Sequence, residues 1–397
     1  MKALHLENFT ATSCIGKGVA ATLASLREQR SGLKDCEFET VDIETYIGEV
    51  PGVDDVRLPE NLCKFECRNN RLAELALQQD GFFDAVQQAA ERWGRRRVGV
   101  FLGTSTAGIL QTELAYRQRD PLTGALPPSF EYGSTHNSFS VADYVRQRCR
   151  LEGPAVAISC ACASSAKVFG SARRMIEAGL IDAALVGGAD SLCLTTLYGF
   201  HSLQLSSTAP CRPFDVARDG ISIGEAAAFV LLERVPEDLD GGSVLLLGIG
   251  ESSDAYHMSA PHPEGLGARR AMQAALAAAG LEPGDIDYIN LHGTGTPSND
   301  RSESQAVTSV FGPTTPCSST KGATGHTLGA AGALEAVISA LAVKNGLMPG
   351  GVHTHKVDPT LTAHYLKENR RGPITRVLSN SFGFGGTNCS LILGRAV

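Results

Sequence analysis

Short apolar runs recur along this chain, and the segments between them carry helical periodicity. The runs are Val98 to Leu102, Ala155 to Ile158, Ala184 to Val186, Val244 to Leu247, Ile286 to Leu291 and Leu391 to Leu393. Apolar runs this short, separated by helical stretches, describe buried strands alternating with helices, an α/β layered fold. Glycines gather where the runs end, as in Val186-Gly187-Gly188-Ala189-Asp190 and Phe382-Gly383-Phe384-Gly385-Gly386. A residue without a Cβ lets backbone approach backbone or ligand there. The acidic, glycine-containing segment Pro236 to Gly242 precedes a strand-like run and divides the chain into halves, residues 1–240 and 241–397. No fixed short-period repeat or low-complexity tail is visible, which disfavours solenoids and disordered partners.

Composition narrows the class. With 397 residues, 43% hydrophobic and 19% charged, the chain can bury a large core. No run approaches the roughly 20 apolar residues of a membrane span, and the N-terminus lacks a basic region followed by an apolar one. A soluble, cytoplasmic protein is expected. Eleven cysteines, an odd number without a secretory signal, read as reduced thiols. A net charge of −7 argues against bulk nucleic-acid binding.

Three places carry chemistry. In AVAISCACASSAKVFGSARRMIEAG a strand ends in small residues and becomes a helix, with Val168, Phe169, Ala172, Met175 and Ile176 on one face and Gly179 as its stop. Cys162 sits at that junction, where free N–H groups and the helix dipole favour a thiolate, although a buried structural cysteine has the same local pattern. In INLHGTGTP a strand ends at His292, followed by glycines and threonines. In STKGATGHTLGAAG a helix start is expected at His326, with Leu328, Ala331, Leu334, Ile338 and Leu341 on one side. The positive end of that helix dipole favours a neutral imidazole, able to donate to an oxyanion.

Together, Cys162-Ala163-Ser164-Ser165, His292-Gly293-Thr294-Gly295-Thr296 and Lys321 through His326 resemble the three signatures of β-ketoacyl synthases, the condensing enzymes of the thiolase fold. The resemblance extends through Arg212-Pro213-Phe214-Asp215, Ser253 to Met258 and Asn380 to Asn388. It implies two similar α/β halves in an α-β-α-β-α arrangement, with the cysteine in the first and both histidines in the second. The second histidine, within GHTLGAAG, points to the Cys-His-His branch that extends acyl carrier protein thioesters.

That resemblance implies a division of labour. Cys162 takes the acyl chain as a thioester, which splits a hard transfer into two easier ones. The N–H groups of Cys162 and Phe384 form an oxyanion hole, each donor worth about 3 kcal/mol in the barrier. His292 and His326 bind the malonyl thioester oxygen while carbon dioxide leaves. Lys321 orients rather than transfers protons, because an ordinary lysine pKa near about 10.4 is mismatched to base chemistry at neutral pH. Glu335, Asp300 and Glu303 support the histidines, Thr294 and Thr296 bind the pantetheine arm, and Phe384 gates the acyl pocket. Thr106 and Ile221 stand at acyl-pocket positions, where Thr106 replaces an apolar residue and Ile221 a frequent Phe; Glu225 replaces a frequent Asp. Cys160 takes the place of a threonine, and the N-terminus, Leu4 to Thr12, departs from the apolar strand usual in the family.

No cofactor or metal is implied beyond the carrier's phosphopantetheine. Cys63 with Cys67, and His353 with His355, lack a second pair at zinc spacing. Gly103-Thr104-Ser105-Thr106-Ala107-Gly108 is one residue too long for a serine nucleophile elbow, and no phosphate-loop motif occurs. A cysteine hydrolase is disfavoured by the paired histidines. The expected partner is an acidic acyl carrier protein, met by Lys64, Arg68 and Arg71, while the denser run Arg95 to Arg97 reads as a solvated face. A homodimer is expected, with a heterodimer with a homologue as the alternative. The competing function is a non-catalytic chain-length-factor-like subunit.

Overall fold

The computed structural model describes residues 1–396. Its ten principal strands form two successive sets of five: β1 (Leu4–Ser13), β2 (Val98–Gly103), β3 (Ala155–Ile158), β4 (Ala183–Asp190) and β5 (Ala226–Arg234); then β6 (Val244–Ser253), β7 (Tyr288–Asn290), β8 (Pro316–Ser318), β9 (Arg376–Gly383) and β10 (Thr387–Arg395). In space the first set runs β3-β2-β4-β5-β1 and the second β8-β7-β9-β10-β6. In each set the strand second in sequence pairs parallel with the third and fourth. The remaining pairings are antiparallel. The halves are thus topological copies, joined where β1 meets β6 with Leu4 opposite Leu246.

Two central helices explain the layering. Ser164–Glu177 and Ala331–Asn345 pack on each other and on strands of both sets. They cross closely: a Cβ on Gly332 would lie 2.7 Å from Ala166 Cβ. A helix enclosed on every side has no use for a polar face. Accordingly Ala331 to Val343 is wholly buried, and the stretch Leu328–Asn345, apolar and long enough to cross a membrane, has 89% of its residues inside the core. Helices Arg68–Leu77, Phe82–Trp93 and Ser140–Arg148 cover the outer face of the first sheet; Leu266–Ala279 and Pro297–Phe311 cover the second. The result is five layers, α-β-α-β-α.

The N-terminus departs from the apolar pattern yet forms a full strand. Its buried hydroxyls are usable there: Thr10 donates to Asp80 at 2.7 Å. The run Ile286 to Leu291 narrows to the three residues of β7, while the run at Leu391 to Leu393 grows into the nine of β10. All eleven cysteines are free.

Candidate active site

Equivalent turns of the two halves face each other. After β3 the backbone passes through Ala161 at φ +53° and reaches Cys162 two residues before the helix that starts at Ser164. After β8, the short helix Lys321–Thr324 and Gly325, at φ +71°, deliver His326 two residues before the helical segment beginning at Leu328. His326 therefore precedes the long helix rather than starting it, a correction to the sequence expectation. His292 lies two residues beyond the end of β7.

The reactive atoms converge. Cys162 Sγ and a ring nitrogen of each histidine lie within 4.8 Å of one another, His326 Nε2 is 3.1 Å from Cys162 Sγ, and the imidazole rings stand 5.2 Å apart at 84°. The Leu328 N–H donates to His326 Nδ1 at 3.3 Å, and Lys321 Nζ lies 3.5 Å from His292 Nδ1. An Nδ1 that accepts leaves the proton of a neutral imidazole on Nε2. Both rings are then Nε2–H donors, a pair suited to an oxygen anion, and His326 holds its Nε2 beside Cys162 Sγ.

Electrostatics keep these rings neutral. Burial, and then the Lys321 charge, hold both histidines well below their ordinary value. Burial also pushes the Cys162 thiol up to about 12, against the pull of Lys321 and of the Phe384 and Cys162 N–H groups. Desolvation thus outweighs the helix-dipole stabilisation expected from sequence, and the resting group is a thiol.

The supporting residues have definite duties. Lys321, 1% exposed, donates to the His292 carbonyl at 2.5 Å and pairs with Glu335. Glu303 accepts the His292 and Gly293 N–H groups at 2.8 and 2.7 Å. Asp300 takes the Phe214 and Gly295 N–H groups at 2.8 and 3.2 Å. Both acids stand in the first turns of helix Pro297–Phe311 and fix the loop bearing His292 without touching the cavity. The Thr294 and Thr296 hydroxyls are 2.9 Å apart and line, with Cys162, His292, His326, Phe384 and Ile221, one cavity. Half-buried Phe384 rests on Phe200, ring centres 5.6 Å apart.

Two assignments change. Thr106 is not a cavity residue: its hydroxyl donates to Asp190 at 2.9 Å and accepts the Ser191 N–H at 3.1 Å, so this position serves a polar network. Arg68 is no docking residue, being 4% exposed and engaged by Glu225, Asp54 and Glu49. Arg71 is bound to Glu66 and Asp54, whereas Lys64 is exposed and forms no ion pair among the described residues. Sequence reasoning missed Asp254, Ser298, Asn299 and Asn388, which line the cavity, and Asp190, whose place at the end of a glycine-rich strand was a usable signal.

Family models for the β-ketoacyl synthase N-terminal and C-terminal domains match residues 9–238 and 244–355. The chain belongs to the β-ketoacyl synthase family. This synthase is 30% identical over 417 residues to the 3-oxoacyl-[acyl-carrier-protein] synthase 2 of Staphylococcus aureus strain COL, covering 98% of each chain. It is 39% identical over 318 residues to that of Rhizobium meliloti strain 1021, covering 75% of this chain and 74% of the relative. Among solved structures it resembles a chain of the ketosynthase (ApeO) in complex with its chain length factor (ApeC) from Xenorhabdus doucetiae, with 38% identity, TM-score 0.91 and coverage of 100% and 98%. It also resembles a β-ketoacyl synthase from Burkholderia phymatum STM815, with 31% identity, TM-score 0.88 and full coverage of both chains. The synthase is a condensing acyltransferase of the thiolase fold, and its converged cysteine and histidines disfavour the chain-length-factor reading.

Proposed function

We propose that the synthase condenses an acyl group held on Cys162 with a malonyl unit delivered by an acyl carrier protein. The convergence of Cys162 Sγ with a ring nitrogen of each of two neutral histidines in one cavity carries this reading. Cys162 Sγ attacks an incoming acyl thioester as its proton is lost, the tetrahedral oxyanion is met by the Cys162 and Phe384 N–H groups, the C–S bond to the carrier breaks, and the carrier sulfur takes up a proton and leaves as its thiol. Malonyl thioester then places its carbonyl oxygen between His292 and His326. The C–C bond to the carboxylate breaks, its electron pair becomes an enolate held by both donors, and carbon dioxide leaves. The enolate carbon attacks the Cys162 thioester; the C–S bond breaks, Cys162 departs as thiolate and takes up a proton, and a β-ketoacyl carrier thioester is released. Thr294 and Thr296, at the cavity wall, hold the pantetheine arm, and no other cofactor enters the scheme.

Neutral histidines impose a pH signature. Because both folded-state values lie well below 6.5, the neutral rings with accepting Nδ1 atoms are intact throughout the neutral range, and only at pH well under 6.5 does a proton on Nδ1 break the contacts that Leu328 and Lys321 make there. Malonyl-carrier decarboxylation by the Cys162→Gln protein is expected to stay level from pH 8 down through about 6.5. A midpoint at the ordinary histidine value would contradict the neutral-donor scheme.

For the pathway, we propose fatty-acid-like or polyketide and aryl-polyene-type chain building in the cytoplasm. Similarity to the ketosynthase and chain length factor complex at 38% identity supports the polyketide side. Intact-mass measurement after exposure to acyl carrier thioesters of increasing length tests it. Acylation at Cys162 is expected, and Ile221→Phe, which fills the cavity wall, is expected to exclude long acyl groups while accepting short ones. Acylation elsewhere would overturn the assignment.

We further propose that the working unit is a dimer. β3 is an edge strand, paired on one side only, and its Ala155 to Ile158 are half-buried. An apolar edge of this kind is a template for a second chain. A homodimer is the first reading, and a homologous chain-length-factor partner is the second, favoured by the complexes among the solved relatives. Native mass spectrometry of the chain expressed alone distinguishes them.

A further inference from the structure

A buried carboxylate between the two halves has no part in the scheme above. Asp190, at the end of β4, is fully buried and has no cationic partner within 4.0 Å among the described residues. Its oxygens accept the Thr104 hydroxyl at 2.6 Å, the Ser105 N–H at 2.8 Å, the Thr106 N–H and hydroxyl, both at 2.9 Å, and, from the other half, the Gly329 N–H at 2.5 Å. A carboxylate has about four lone-pair sites, and these donors fill them.

Two chains of contacts lead away from it. On one side Ser105, whose N–H is bound to Asp190, donates its hydroxyl to the Ala161 carbonyl at 3.2 Å. Ala161 is the left-handed residue at φ +53° immediately before Cys162. On the other side Gly329 is preceded by Leu328, held at φ +52°, and the Leu328 N–H fixes the His326 tautomer through Nδ1. Left-handed backbone costs a non-glycine residue about 1–3 kcal/mol and persists only where its surroundings over-determine it. At Ala161 and Leu328 those surroundings include the Asp190 network. There is no spare room, since a Cβ on Gly329 would lie 2.7 Å from Asp190 Oδ2 and 2.6 Å from Ser105 Oγ.

We propose that Asp190 is a positioning residue that sets, from one carboxylate, both the Cys162 turn in the first half and the His326 turn in the second. It reaches the nucleophile through Ser105 and Ala161 and the donor through Gly329 and Leu328. Its charge also raises the Cys162 thiol, an electrostatic cost at the nucleophile. This inference rests on the condensing reading, and the test keeps the two apart.

Malonyl-carrier decarboxylation is measured first in the Cys162→Gln protein, whose activity checks the reading itself. Adding Asp190→Asn turns one acceptor oxygen into a donor facing donors. The expected result is a fall in kcat on the order of tenfold to 100-fold with KM little changed, as for a misplacement of about 1 Å. In the Cys162-containing protein, Ser105→Ala is expected to slow acylation of Cys162, while in the Cys162→Gln background it leaves decarboxylation intact. This split survives even where Asp190→Asn fails to fold. An active Cys162→Gln parent whose rate Asp190→Asn leaves unchanged would overturn the proposal, as would Ser105→Ala that alters neither step or both equally. A folded but inactive parent would instead sink the condensing reading.

Discussion

Replacing Cys162 with alanine is expected to abolish acyl-enzyme formation and condensation, a loss of about ten-thousand-fold or more, as when a covalent nucleophile is removed. Stability should change little, since the side chain removed is small and its side-chain hydrogen-bond partner is His326 Nε2 at 3.1 Å. Glutamine at the same position is more informative. Its amide oxygen reaches toward the Phe384 and Cys162 N–H groups that surround the sulfur and imitates the carbonyl of the missing acyl thioester. His292 and His326 keep their own anchors, Glu303 and Lys321 for one and Leu328 for the other. Decarboxylation of malonyl carrier protein should therefore persist or rise in Cys162→Gln while condensation is absent. Measured carbon dioxide release without β-ketoacyl product would establish the two sites as separable, and a folded Cys162→Gln protein that releases none would refute that division.

Much of this site was legible because its signals are local. The run Ala155 to Ile158 became β3 with the same bounds, and the residues after Cys162 formed the expected helix, Ser164–Glu177. What escaped was set by tertiary burial. The thiol at Cys162 follows desolvation instead of the helix dipole, and the neutral His326 owes its state to burial and Lys321. Thr106 and Arg68 failed for one shared reason: their partners, Asp190 and Glu225, lie 84 and 157 residues away. The doubled topology was expected from the family resemblance alone and not from residue pattern, because it resides in strand order and equivalent turns carry different chemistry, Cys162 in one half and His326 in the other. β1 was obscured by His5, Glu7 and Asn8, polar residues in a strand that joins the two sheets.

Lys321→Ala should produce the largest combined loss of stability and activity. Lys321 and Glu335 are 1% and 2% exposed, and removing one member of a buried ion pair costs about 3–5 kcal/mol because the other is left uncompensated. Burial already pushes Glu335 up to about 7 despite Lys321, so the stranded carboxyl would hold its proton to still higher pH. The variant should then be least impaired in acid and lose further stability as pH rises through neutrality, which denaturant titration at several pH values would reveal. His292 loses its carbonyl and Nδ1 contacts at the same time. With the neighbouring positive charge gone, both histidines protonate more readily, and the acid limb of decarboxylation moves up toward 6.5 while burial keeps it below that value. Replacing the pair together, Lys321→Met with Glu335→Leu, separates structure from chemistry, because a buried ion pair exchanged for apolar side chains of similar volume often costs little stability. The double variant should refold well and remain poor in decarboxylation. If it matched the Cys162→Gln parent in rate and in pH profile, Lys321 would be a folding element alone, and the orientation of His292 would have to come from Glu303.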